Sequence, residues 1–416
     1  MKSIYESVRD RFLSYVVINT ASMHNPTTTP STMRQFDLAR LLEKELKEIG
    51  VSDVWLDDVN CVVYGKIPSN VEKRVKAVGF VAHMDTSPDV ESENIKPWVY
   101  ENYQGGDVVL NKEKNIVMEV KTYPNLKNYI GQDIVFTDGT TLLGGDDKAA
   151  IASVMAFAEY IINHPEIKHG EIDIAFTPDE EVGGLAKDLD FARFGAELAY
   201  TLDGDFVGTY SYETFNATEA QIKIKGLSVH PGTAKGVMIN AVDVGVEIIN
   251  MLPLSERPYT TEGREGYYHS HYFNGTCEEA ELYILIRDHD DDMFDKRIAY
   301  INACVEKMAE KYGKDRFELK YANGYRSMRK VVEPHMYMID YLVSAIEKAG
   351  VKPNELPFRG GTDGSAISQR GLPCPNISAG YENGHSRFEF VPIQAMEKNV
   401  EILINLVENF VNKEEG

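Results

Sequence analysis

The stretch VGFVAHMDTS, residues 78–87, ends an apolar run with a histidine, one spacer and an aspartate. Side chains two apart on a strand point to the same face. His83 and Asp85 would thus stand side by side at a strand's carboxyl end, where open α/β sheets place their ligands. Alone, the pair also fits a solvated turn. Four further segments carry similar side chains in similar places. LLGGDDKAAIA sets Asp146 and Asp147 directly before a helical pattern, where one aspartate would also serve as a cap. AFTPDEEVGG puts Glu180 and Glu181 between a buried run and two glycines, a setting in which adjacent carboxylates are also simply solvated. YTLDGD ends another apolar run in Asp203, and YENGHSRFEF holds His385 in a polar loop. Each signal is modest, but five segments of this kind would bring two histidines and several carboxylates to a common edge. A mixed nitrogen and oxygen set without thiolates suits catalytic zinc, or manganese or cobalt, rather than a closed structural zinc.

The elements that must position these groups are legible as patterns. Leu38, Leu41, Leu42, Leu46 and Ile49 form one apolar stripe, so 36–49 reads as a helix stopped by Gly50. Strand-like runs cover 75–83 and 171–176, with a weaker one near 198–202. Between the first two, Ile151, Val154, Met155, Ala158, Ile161 and Ile162 recur at helical spacing. Strands alternating with helices predict an α/β layer with a largely parallel sheet. After about residue 211 the texture changes. AQIKIKG, EGYYHSHYF, EAELYILIRD and RFELKYA alternate as half-exposed strands do, and helical patterns lie near 239–251 and 291–311. Four strands and two helices predict a ferredoxin-like α+β module. The expected organisation is a catalytic α/β domain from 1–211 and 326–416, interrupted by an inserted lid domain at 212–325. Tyr103 and GGDVVLNKEKN read as a surface hairpin, and the two histidines of YYHSHYF as surface or interface groups.

A chain of 416 residues is too long for one ordinary core, which agrees with two domains. Its formal net charge of −22 argues against nucleic acid or an anionic membrane surface as partner. The first residues lack the apolar centre of a signal peptide, and no run approaches a membrane helix. Four scattered cysteines without a C-x-x-C pair suit free thiols in a reducing cytoplasm.

The order H-x-D, G-x-DD, EE, D and H resembles the signature of the cocatalytic dizinc aminoacylase and carboxypeptidase superfamily. The likeness runs nearly end to end through HMDTSPD, LLGGDDKAAIA, FTPDEEVG, LDG, SVHPGTAKG, RGGTDGS and NGHSRFEF, and is strongest to aminopeptidases of that superfamily that act on tripeptides. The resemblance implies that His83 and Asp203 hold one zinc, Glu181 and His385 the other, and that Asp146 bridges both. It implies that Asp85 orients His83, that Glu180 is the general base for a zinc-bridged hydroxide, and that the Asp146–Asp147 bond is cis. Cobalt or manganese would be possible substitutes. Adjacent glutamates diverge in direction, so Glu180 would be left free when Glu181 ligates.

The inserted module would then supply specificity. His230 lies in a Gly- and Pro-rich loop suited to stabilising a tetrahedral oxyanion. Asn240 begins the following helix, either as an N-cap or as a substrate contact. Arg287 would grip a substrate carboxylate or pair with the acidic run beside it. Arg359 lies in a glycine loop of the catalytic domain, also suited to carboxylate capture. The reading is a cytoplasmic tripeptide aminopeptidase, monomer or homodimer, that takes small peptides. A dipeptidase, carboxypeptidase or N-acyl amino acid deacylase shares the same metal centre, and a catalytically silent peptide-binding protein is the rival of another class.

Overall fold

A computed structural model describes residues 2–184 and 186–413. It divides into two compact units, one of residues up to Tyr212, Lys330–Leu356 and Thr362 onward, the other of Glu213–Arg329 and Pro357–Gly361. The second unit therefore reaches past the expected end at 325 and takes back a five-residue piece of the later chain. That piece contains Arg359, expected in the catalytic domain. Phe358 accounts for its placement, since it forms a bridge with Thr214 and its N–H donates to the Glu213 carbonyl.

In the first unit, eight strands among the described residues form one sheet, in the order 52–56, 63–67, 172–177, 78–83, 198–204, 376–378, 209–211, 354–355. The four from 172–177 to 376–378 run parallel; strand 63–67 pairs antiparallel with 172–177 and with 52–56, strand 209–211 pairs antiparallel with 376–378, and the edge strand 354–355 pairs parallel with 209–211. The sheet is thus parallel where apolar runs are buried on both faces and mixed outside. Strand Val78–His83 is buried at every position. Helix Gly145–Asn163 covers one face of it, with the Phe80 and Phe157 rings meeting edge-on at 5.4 Å. Phe194, Ile367 and Leu372 pack with Val81 and Ala175 on the other face. Helix Ile4–Val16, absent from the sequence expectation, starts with a reciprocal Ser3–Glu6 cap. The segment around Tyr103 corrects the expected surface hairpin. Strands Val108–Asn111 and Ile116–Met118 do pair, but Tyr103, Val108, Leu110 and Met118 are buried with Phe136 and Phe390 in a satellite core.

In the second unit, strands 267–275, 279–288, 216–225 and 317–325 form an antiparallel sheet in that order. With helices Ala241–Met251 and Asp291–Tyr312 this is the ferredoxin-like arrangement. Strand Glu279–Asp288 alternates buried and partly exposed residues, and its inner face joins Ile222, Ile224, Val244, Ile248 and Ile301 in a separate core. Among the described residues, no helix is long and apolar enough to cross a membrane.

Candidate metal centre

Register places the first ligands. His83 pairs with Thr177, and Val81 pairs with Thr201. Two residues further along the same parallel pair, His83 meets Asp203, with Nε2 3.8 Å from Oδ1. Three adjacent strand ends thus present Thr177, His83 and Asp203 on one sheet face. The first turn of helix 145–163, non-helical at Asp146 and Asp147, brings Asp146 to the same place. Its Oδ1 lies 3.0 Å from His83 Nε2, and its Oδ2 3.2 Å from His385 Nε2. His385 also lies 2.8 Å from a Glu181 oxygen. The Asp146–Asp147 peptide is cis.

Two groups of possible ligand atoms result among the described residues: His83, Glu180 and Asp203, and His83, Asp146 and Glu181, each with atoms within 4.8 Å of one another. The adjacent glutamates do diverge, one toward each group, yet Glu180 stays within ligand reach of the first. Divergence alone therefore does not free it from a metal. The backbone explains the split. Asp85 Oδ1 accepts the Glu180 N–H at 2.9 Å and Oδ2 accepts the Glu181 N–H at 3.2 Å. Asp85 therefore holds both glutamates through their amides. Its carbonyl oxygen, at 3.0 Å, is the nearer partner of His83 Nδ1, and its carboxylate stands at 3.4 Å.

The charges in this buried cluster suit cations. Asp146, Glu181 and Asp203 form ion pairs only with His83 and His385 among the described residues. Glu181 Oε1 is buried with no hydrogen-bond partner. Burial and the nearby Asp146 push the Glu181 carboxyl up to about 8. Loss of water and the charge of Asp203 push Glu180 up as well. Bonds to Asp146 and Glu181 raise His385 to about 11. Two imidazole nitrogens and several carboxylate oxygens, with no lysine or arginine among them, fit a pair of dications.

Sequence reasoning missed three buried carboxylates that surround this set. Glu389 accepts the N–H groups of Leu143, Gly144 and Asp146. Asp179, at φ 61°, accepts from the Ser31 amide and hydroxyl and from the Gln35 side chain. The loop of the two glutamates is thereby anchored to the N-terminal segment at Ser31 and Gln35. Asp363 accepts from Thr177 Oγ1 and keeps its buried Oδ1 unpartnered. Burial pushes its carboxyl up to about 7. Each lay inside a quoted motif, but a carboxylate that binds backbone has no spacing rule to reveal it.

The expected substrate groups all lie in the second unit. His230 Nδ1 accepts the Gly232 N–H at 3.1 Å, so a neutral ring carries its proton on Nε2. The Asn240 side-chain oxygen accepts the Val242 N–H and caps helix 241–251. Arg359 donates to the carbonyls of Thr261, Gly263 and Glu265 and to the Thr261 hydroxyl. Its guanidinium also stands against the Phe215 and Tyr267 rings. Among the described residues, Arg287 donates to the Arg359 carbonyl, and its buried Nε has no hydrogen-bond partner. His271, one of the paired strand histidines, meets Glu219 at 2.8 Å.

Residues 212–313 match a family model described as a peptidase dimerisation domain. The chain is 48% identical over 406 residues to peptidase T of Caldanaerobacter subterraneus, covering 98% of this chain and 99% of that one. Among solved structures it is similar to aminopeptidase PepT from Bacillus cereus, at 22% identity and a TM-score of 0.77, covering 98% and 99% of the two chains. A Staphylococcus aureus tripeptidase gives 21%, 0.77 and 98% of each chain. A dinuclear metal-binding M20 peptidase from Bacillus subtilis gives 12%, 0.64, and 97% and 98%.

Proposed function

The chain belongs to the peptidase T family, and on that premise we propose that it is a metal-dependent aminopeptidase that releases the N-terminal residue of tripeptides. The observation that carries the reading is the convergence of His83, Asp146, Glu181, Asp203 and His385 at one sheet edge, with Glu180 facing it. His83 and Asp203 would hold one zinc, and Glu181 and His385 the other. Asp146 would serve both, and the two different histidines facing its two oxygens support that role. Cobalt or manganese can replace zinc. When bound, the ions polarise the scissile carbonyl and lower the pKa of a bound water to about 7.

The remaining work falls to the chain. Glu180 takes the proton of the attacking water and passes it to the leaving amine. Asp85 fixes the direction of Glu180 and Glu181 through their backbone N–H groups. His230 offers an imidazole N–H suited to a developing oxyanion. Asn240 and Arg359 act by holding the second unit's loops. Arg287, with spare donors, is the group suited to a substrate carboxylate. The four cysteines are all free thiols, which supports a cytoplasmic setting, as monomer or homodimer.

The test is hydrolysis of di-, tri- and tetrapeptides by zinc-loaded enzyme, with free and blocked amino termini. Tripeptides with a free amine should be cleaved best, and blocking the amine should abolish cleavage. Dipeptides cleaved as well as tripeptides would reject the assignment. Arg287→Ala should raise KM for tripeptides about 10- to 150-fold, the worth of a charge-assisted hydrogen bond of roughly 1.5–3 kcal/mol. The increase should vanish for tripeptide amides. Arg359→Ala should instead lower the melting temperature, because it removes a cluster of structural bonds.

A further inference from the structure

His385 and Glu389 sit on one closed loop. Its ends are joined by the Glu382 N–H to the Phe390 carbonyl at 2.9 Å and by the reverse bond at 3.1 Å. His385 stands at the exposed tip in a left-handed conformation, φ 57°. Glu389 stands at the stem, only 2% exposed. One oxygen of Glu389 accepts the N–H groups of Leu143 at 2.9 Å and Gly144 at 2.7 Å. The other accepts the N–H of Asp146 at 2.9 Å. The two loops also interlock sterically. A Cβ on Gly145 would lie 2.5 Å from Val391 Cγ2, and 3.0 Å from both Glu389 Oε1 and Tyr381 Cβ. Glu389 has no ion-pair partner among the described residues, so backbone N–H groups supply its partners instead. Its carboxylate is a mould for the turn that carries Asp146, and the same loop carries His385.

We propose that Glu389 is a positioning residue that sets the distance between Asp146 and His385, so that the Glu181–His385 ion, which would take both of these groups, depends on it more than the His83–Asp203 ion, which would take only Asp146. The inference rests on the dinuclear reading above. The chemical reason lies in the number of acceptors. Glutamine has one acceptor oxygen and an NH2 group in place of the second. With its oxygen toward Leu143 and Gly144, the NH2 opposes the Asp146 N–H. Turned over, it opposes the other two. The less costly orientation releases the backbone of Asp146 itself.

The experiment is stepwise titration of metal-free protein with Co2+, following the visible absorption bands and calorimetric stoichiometry, for wild type and Glu389→Gln. Expected is two-site binding by wild type, with the second dissociation constant raised about 10- to 100-fold in the variant, as for other partners that orient a ligand. The other constant should rise clearly less, and the melting temperature of the metal-free chain should hold. Two sites of wild-type affinity in the variant, or equal weakening of both, would overturn the proposal and leave the dinuclear reading standing. A wild type that binds one ion would overturn both. Glu389→Asp keeps both acceptor oxygens one methylene short and carries the same test if the glutamine variant fails to fold.

Discussion

Glu180→Gln should lower kcat by about 10²- to 10⁴-fold, the span general acid–base groups contribute, with KM and bound metal close to wild type. Glutamine keeps the size of the side chain and its backbone bond to Asp85, but it cannot take a proton from water and return it to the amine. The same substitution separates two roles that geometry leaves together. An oxygen of Glu180 lies within 4.8 Å of the His83 and Asp203 ligand atoms, so it is near enough to ligate. If it acts as a ligand, metal content should fall together with turnover. If it acts as the base, turnover falls and metal stays. Metal counting by emission spectroscopy beside steady-state rates decides between them. Survival of turnover would remove the base assignment altogether.

The alternation of strand and helix, the four half-exposed strands after residue 211 and the helix over 36–49 were readable because one face of each is apolar at a regular period. Helix Gln35–Ile49 begins one residue before the expected start and ends with Gly50 at φ 98°, as the glycine stop predicts. Helix Ile4–Val16 was also readable in principle. Ser3-x-x-Glu6 spells a capping box, but the mixed, charged residues after it hide the apolar stripe of the helix. Tyr103 failed for a different reason. Its neighbours are glycines, charged residues and short strands, and its burial comes from Phe136 and Phe390, which lie far along the chain.

The candidate site divides in the same way. Residues at strand ends, such as His83 and Asp203, could be placed because register is periodic. Residues that act through backbone N–H groups could not. Asp85 illustrates the difference. Spacing sets it beside His83 and the family resemblance implies that it orients that ring, whereas its carboxylate oxygens accept the amides of Glu180 and Glu181, nearly a hundred residues away. Arg359 shows the converse error. A guanidinium in a glycine loop looks free in sequence, yet carbonyls of residues 261–265 and two aromatic rings occupy it. Such partners become visible only once the chain has closed on itself.

Asp146→Asn should abolish turnover and lower the affinity for divalent metal by more than about 100-fold, since even partners that merely orient a ligand are worth 10- to 100-fold. Among the described residues, Asp146 is the one side chain whose two oxygens face both histidines. Its charge is one of three set against two dications, and asparagine removes that charge and puts an NH2 group where a histidine nitrogen or an ion would meet an acceptor. The backbone need not move, because the Asp146 N–H still donates to Glu389. Loss of metal with an unchanged circular dichroism spectrum is therefore the expected result. An asparagine variant that retains full metal content and hydrolyses tripeptides at the wild-type rate would mean that the two histidine loops do not share a ligand. The centre would then consist of two independent ions or of a single one.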